Sequence, residues 1–250
     1  MRNKIYYIFF VLLIIAGCQK ERNIQLFTIG DSTMANKKAE VYPETGWGQV
    51  LGEYFDNNVT VHNHAKNGRS SKSFIDEGRW KIVKDSLQPG DYVFIQFGHN
   101  DEKEYDSTRY TTPYGTYSDN LAKYVKESRS KGAIPILFTP IVRRHFDENG
   151  ILVNSHGNYP DAVRQLAARM DVPLVDLEKL TRYLVDSLGP EQSKKLYLWT
   201  EPDDRYPEGR EDNTHLNVEG AHKVAEMAAE EVKTLPINLA EHVKDLRNKN

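Results

Sequence analysis

Five short apolar runs recur along the chain, and most are followed by a segment with helical spacing. No other feature of the 250 residues limits the fold so strongly. The runs cover 24–30 (IQLFTIG), 59–61, 92–97 (within DYVFIQFGHND), 133–140 (AIPILFTP) and 172–177 (VPLVDL). Between and after them, apolar spacing predicts helices over 47–55, 78–87, 116–131, 159–170, 176–188 and 217–233. The last of these carries Val218, Ala221, Val224, Ala225 and Ala228 on one face. Strands alternating with helices imply a parallel sheet covered on both sides. The expected fold class is α/β: one doubly wound, three-layer α/β/α domain with a five-stranded parallel sheet. There is no internal repeat and no sign of a second domain. Residues 196–210 (LYLWTEPDDRYPEGR), charged and with two prolines, read as a long loop. In such folds ligands bind beyond the carboxyl ends of the strands.

Composition narrows the function classes. Hydrophobic residues make up 39% and charged residues 28%, with a formal net charge of −3. This is a globular composition with no basic footprint for nucleic acid and no strong pull toward anionic lipid. The first residues differ from the rest. Arg2 and Lys4 precede an apolar run over 5–16, too short for the roughly 20 residues a membrane-spanning helix needs. A basic start, a short apolar centre and small residues at the end form a secretory signal. The sequence IAGC resembles a bacterial lipobox, in which the cysteine is lipidated and becomes the mature N-terminus. Cys18 is the single cysteine, so no intramolecular disulfide is available. The expected organisation is a lipoprotein signal peptide over 1–17, lipidated Cys18 and a tether over 18–23, one folded domain over 24–235, and a tail over 236–250. Gln19 after the cysteine favours the outer membrane of a bacterial envelope, on its periplasmic or outer face.

The chemistry concentrates where the strands end. The first run stops at Gly30 and delivers Asp31, Ser32 and Thr33 (GDST). A turn leading into a helix cap is one reading; a nucleophile is the other. A serine hydroxyl attacks a carbonyl only with a base in hydrogen-bond reach, a group that orients the base, and donors aimed at the developing oxyanion. EDNTHLNVEG supplies a base and its orienting acid: Asp212 and His215, three residues apart, just before the last helix. That spacing suits a carboxylate against Nδ1, with Nε2 left to face Ser32. Gly68 in NGRSS, Asn100 in FGHND and the Ser32 amide are the candidate oxyanion donors. Each residue alone is ordinary turn or surface chemistry.

The four blocks, in this order and at these spacings, resemble the SGNH (GDSL-like) hydrolase superfamily over roughly 24–233. The resemblance implies acyl transfer by Ser32 and His215, orientation of His215 by Asp212, and an oxyanion hole from the Ser32 and Gly68 amides and the Asn100 side chain. A narrower similarity is to the rhamnogalacturonan acetylesterases (carbohydrate esterase family 12), carried by Gly68-Arg69-Ser70, Ser73-Phe74, Glu77-Gly78-Arg79-Trp80 and His99. It implies a serine esterase that removes O-acetyl groups from pectin through an acetyl-enzyme, with no cofactor and no metal. Arg69, His99 and Trp199 are candidate substrate contacts. His62 and His64, as H-x-H on a strand, have the spacing of metal ligands. No HExxH, cysteine pair or carboxylate cluster accompanies them. The expected partners are an acetylated polysaccharide or oligosaccharide and, through the lipid alone, a membrane; the expected state is a monomer. Alternative readings are an esterase for another acylated glycan such as acetylxylan, or for a lipid or thioester, and an inactive glycan-binding surface lipoprotein. A flavodoxin-like nucleotide binder lacks its phosphate loop, since neither GxGxxG nor GxxxxGK[ST] follows the first run.

Overall fold

A computed structural model describes residues 22–245. The segment expected to be a signal peptide over 1–17, Cys18 and the expected tether up to residue 21 lie outside the described residues, as do 246–250. Five parallel strands form the centre: β1 (Ile24–Gly30), β2 (Val59–Asn63), β3 (Tyr92–Gln96), β4 (Ile134–Phe138) and β5 (Leu174–Val175). Their order is β2-β1-β3-β4-β5, so the chain winds outward both ways from β1 and reverses between β1 and β3. That reversal is where a doubly wound sheet opens a crevice for a ligand.

Because side chains alternate across a strand, each strand feeds two cores. Leu26, Phe94, Ile136 and Phe138 face one layer, with α1 (Trp47–Val50), α6 (Leu177–Gln192) and α7 (Val218–Lys233). Phe27, Ile29, Val93, Ile95 and Leu137 face the other, with α2 (Ser71–Asp76), α3 (Arg79–Ser86), α4 (Ser118–Ser130) and α5 (Tyr159–Met170). In the first layer Phe138 packs at ring-centroid distances of 4.7 Å from Phe94 and 5.7 Å from Trp47. The buried stripe of α7, Ala221, Val224, Ala225, Ala228 and Ala229, is small enough for the helix to lie close to the sheet.

The sequence reading has no counterpart of the short helix α2, and two other regions differ from it. The NGRSS segment runs directly into α2, because Ser70 and Ser73 cap it reciprocally: Ser70 Oγ accepts the Ser73 N–H at 3.1 Å, and Ser73 Oγ accepts the Ser70 N–H at 2.9 Å. The expected loop over 196–210 is instead most of an antiparallel hairpin, β6 (Tyr197–Thr200) and β7 (Arg210–Leu216). Its two prolines, Pro202 and Pro207, sit in the connection, where no ladder N–H is needed. The segment read as a tail packs onto the body as far as Val243. Leu239 is buried, its N–H donates to Tyr92 Oη at 3.2 Å, and Val243 bridges to Phe55.

Candidate active site

The nucleophile turn is built on the sheet. Gly30 ends β1 so close to β3 that a Cβ there would lie 2.6 Å from the Gln96 carbonyl oxygen, and only glycine fits. Asp31 then folds the chain back on itself. Its carboxylate accepts the Thr33 N–H at 3.0 Å and the Thr33 hydroxyl at 2.8 Å, and its carbonyl accepts the Met34 and Ala35 amides. Below the turn, Gln96 accepts from Trp47 Nε1–H at 2.8 Å and donates to Thr33 Oγ1 at 3.3 Å. Ser32 is thereby fixed by buried groups on one side and faces His215 on the other.

The base arrives from outside the sheet. His215 Nε2 lies 3.0 Å from Ser32 Oγ, and His215 Nδ1 lies 2.8 Å from Asp212 Oδ2. With Nδ1–H donating to the carboxylate, Nε2 presents its lone pair to the Ser32 hydroxyl, the geometry that proton transfer requires. Asp212 Oδ1 also accepts the backbone N–H of Thr214 at 2.8 Å and of His215 at 2.9 Å, and Oδ2 accepts from Arg210 at 3.2 Å. Burial pushes the Asp212 carboxyl up. The His215 hydrogen bond and charge, with the two amides, outweigh burial and hold it well below the usual carboxylate range.

A break in the hairpin ladder explains how His215 reaches Ser32. Tyr197 pairs with Leu216, but its neighbour Leu198 pairs with Asp212. Asn213, Thr214 and His215 therefore have no partners on β6 and bulge out of the ribbon. Arg144 clamps the bulge: its N–H donates to the Asn213 carbonyl at 2.8 Å and its guanidinium to Asn213 Oδ1 at 2.7 Å. The same guanidinium donates to Ser193 Oγ at 3.1 Å and to the Pro190 carbonyl. Arg144 was not singled out from sequence, and its partners lie too far along the chain to leave a local motif.

The oxyanion candidates sit on neighbouring loops that are tied together. Gly68 has φ +77°, a conformation suited to glycine. Among the described residues, none accepts the Ser32 or Gly68 N–H. Asn100 Nδ2 donates one hydrogen to the Arg69 carbonyl at 3.1 Å and keeps a second. Asp101, fully buried, accepts the Ser71 N–H at 3.0 Å, the Ser71 hydroxyl at 2.5 Å and the Thr111 hydroxyl at 2.9 Å. Burial pushes its carboxyl up to about 7, against these three donors. The Lys66 amide donates to the Gly30 carbonyl at 3.0 Å, which links the Gly68 loop to the nucleophile strand.

The three candidate substrate contacts lie in different settings. His99 is only 2% exposed and sits under the turn, with Nδ1 3.0 Å from Asp31 Oδ2. Burial pushes its pKa down to about 4, against the pull of Asp31, so at neutral pH it is an uncharged ring donating Nδ1–H to Asp31. Burial raises the Asp31 carboxyl, but His99 and the Thr33 donors hold it at about 2. Arg69 lies at the rim of a groove of about 720 Å³ that runs from Gly68 past Lys72 to Asp106 and Arg109. Trp199 buttresses the hairpin: its Nε1–H donates to Asn213 Oδ1 at 2.9 Å, and its ring receives Arg144 at 4.8 Å and Lys194 at 4.6 Å. His62 and His64 stack on Phe27 at 4.9 and 5.9 Å, and His62 Nε2 meets Gln25 Oε1 at 2.8 Å. Among the described residues no cluster of His, Cys, Asp and Glu is arranged to hold a metal ion.

Known proteins share this arrangement of chain. The model of the GDSL-like Lipase/Acylhydrolase family matches residues 28–223. Over 225 residues the chain is 43% identical to the rhamnogalacturonan acetylesterase RhgT of Bacillus subtilis, covering 89% of this chain and 95% of that protein. It is 36% identical to the probable rhamnogalacturonan acetylesterase YesY of the same organism, covering 87% of this chain and 96% of that protein. Among solved structures, a catalytic mutant of Axe2, an acetylxylan esterase from Geobacillus stearothermophilus, superposes with a TM-score of 0.62 over 84% of this chain and 94% of that one. Its 18% identity makes this a likeness of fold. By the extent of the family match and by these identities, the chain belongs to the GDSL-like lipase/acylhydrolase family, the SGNH serine hydrolases, and is a carboxylic ester hydrolase.

Proposed function

We propose that the enzyme removes O-acetyl groups from rhamnogalacturonan through an acetyl-enzyme. The observation that carries the mechanism is the continuous relay from Asp212 through His215 to Ser32, with both bonds at 3.0 Å or less. Ser32 Oγ attacks the acetyl carbonyl carbon as its proton passes to His215 Nε2. The oxyanion is held by the Ser32 and Gly68 amides and the free Asn100 Nδ2 hydrogen. Collapse breaks the bond to the sugar oxygen, which leaves with the proton from His215. Water then enters by the same route, giving up a proton to His215, and releases acetate and free Ser32. Each oxyanion donor supplies on the order of 10²–10³ in rate.

The substrate half of the proposal is supported by the relatives' names, by the G-R-S and E-G-R-W segments, and by a groove beside Gly68 whose walls are polar and charged. The same proposal places the enzyme at a bacterial envelope, anchored through lipidated Cys18. The support is the basic, apolar and IAGC pattern of the first 18 residues. The test is acetate release from acetylated rhamnogalacturonan and from acetylated xylan by the mature protein and its Ser32→Ala variant. Release from the pectic polymer that disappears in the variant is expected. Release from xylan alone would keep the serine mechanism and overturn the substrate. Radiolabelled fatty acid carried by the wild type but not by Cys18→Ala tests the anchor.

A further inference from the structure

Each of the two loop-borne oxyanion donors belongs to an amide whose oxygen is bonded to a cation. The Gly68 N–H is part of the peptide joining Asn67 to Gly68, and Arg69 Nη1 donates to that peptide's oxygen, Asn67 O, at 2.8 Å. The Asn100 Nδ2–H is part of a side-chain amide, and Lys103 Nζ donates to its oxygen, Oδ1, at 2.9 Å. An amide is one conjugated unit. A positive charge drawing electrons to the oxygen makes its N–H more positive and a stronger donor. We propose that Arg69 and Lys103 are positioning residues that polarise the two amides of the oxyanion hole. This rests on the mechanism proposed above for Ser32.

The surroundings fit this role. Lys103 also fixes which way the Asn100 amide points. A flip would set the NH₂ group against an ammonium and the amide oxygen against the Arg69 carbonyl, which now accepts from Nδ2 at 3.1 Å. Arg69 in turn is held by Glu77, both of whose oxygens accept Nε–H at 3.0 Å, and Nη2 lies 3.0 Å from Glu77 Oε1. Glu77 fixes the guanidinium plane and leaves Nη1 to reach back over the turn. Arg79 shares that carboxylate at 2.6 Å. The Ser32 amide is arranged differently: its peptide oxygen, Asp31 O, accepts from the neutral amides of Met34 and Ala35.

The experiment is a double-substitution cycle, read as kcat and KM on a small aryl acetate that offers no sugar or carboxylate to bind. Wild type must hydrolyse it and Ser32→Ala must not; otherwise the serine mechanism itself has failed. Given that, Lys103→Met is expected to lower kcat about tenfold with KM unchanged, with Lys103→Gln, which keeps a neutral donor, in between. In an Asn100→Ala background, Lys103→Met is expected to have almost no further effect, because it acts through that amide. Arg69→Met is expected to keep its own loss of about tenfold there, because it acts through the Gly68 amide. Lys103→Met at full kcat, or with the same loss in both backgrounds, overturns the proposal. So does an effect confined to KM. Should Lys103→Met fail to fold, the comparison of Lys103→Gln with Lys103→Arg decides, since only the second keeps the charge.

Discussion

The two halves of the site are made in opposite ways. Ser32 stands at the end of a central strand, in a turn braced by Gly30, Gln96, Asp31 and buried His99. His215 and Asp212 stand on a two-stranded ribbon outside the sheet, Asp212 still paired with Leu198 and His215 in the bulge that follows it. The first half inherits its position from the packing of the whole core. In the second half Tyr197, Leu198 and Leu216 root the ribbon in the core, but the bulge that carries His215 is held by a few bonds, chiefly the Arg144 clamp. Ser32 is therefore held by a buried turn, and His215 by a bulge whose hydrogen bonds can be removed one by one.

The contrast sets the order of expected effects. His215→Ala is expected to lower kcat by about 10⁴–10⁶, and Asp212→Asn by about 10⁴, both with urea midpoints near wild type. A large stability loss in either would mean that the hairpin carries part of the core's stability. Gly30→Ala places a methyl group against the Gln96 carbonyl, so it is expected to cost about 1–3 kcal/mol of stability and to shift Ser32 enough for about a hundredfold loss of kcat. Unchanged activity there would remove the argument that the sheet holds the nucleophile. Arg144→Met is expected to lower kcat about tenfold and to make 197–216 cleave under limited proteolysis before the rest of the chain, as expected when a hairpin outside the sheet loses its clamp. If cleavage instead begins in the core, the two halves are not independent.

The smallest effect is one of pH. His99 has a folded pKa of about 4, below its ordinary 6.5, so between these values the unfolded chain takes up a proton that the folded one refuses. Its contribution to stability is present above 6.5 and lost as pH falls toward 4. Asp101, raised from 3.8 to about 7, runs the other way: its contribution is present below 3.8 and lost as pH rises through 7. The two slopes oppose each other between pH 7 and 5. Asp101→Asn removes one of them, so its urea midpoint is expected to fall more than that of wild type when pH drops from 7 to 5. Equal shifts in the two proteins would refute the opposition.

The same division governs what the sequence discloses. The parallel sheet was legible because β1, β3 and β4 are apolar runs whose neighbours have helical spacing, and α5 spans 159–170 as read. Ser32, Asn100, Asp212 and His215 stood out because motif spacing is local. The hairpin did not, because its β-like YLWT is followed by a charged, proline-containing stretch that outweighs four residues of strand pattern. Arg144 left no sign at all, since its side-chain acceptors lie 46, 49 and 69 positions away. His99 drew notice as part of a motif, but its burial under Asp31 is a tertiary fact that no local pattern encodes.

The three-residue bulge on β7 has a mechanical consequence. Acid and base are carried on a single four-residue span, Asp212 to His215, cross-braced by two of its own backbone amides. Because of this bracing, a displaced ribbon would carry both together, with Nδ1–H still on the carboxylate. The catalytic assembly thus has one joint rather than two, the gap between Nε2 and Oγ. A displacement of the hairpin would therefore lengthen the Nε2 to Oγ contact while leaving the Asp212–His215 pair intact.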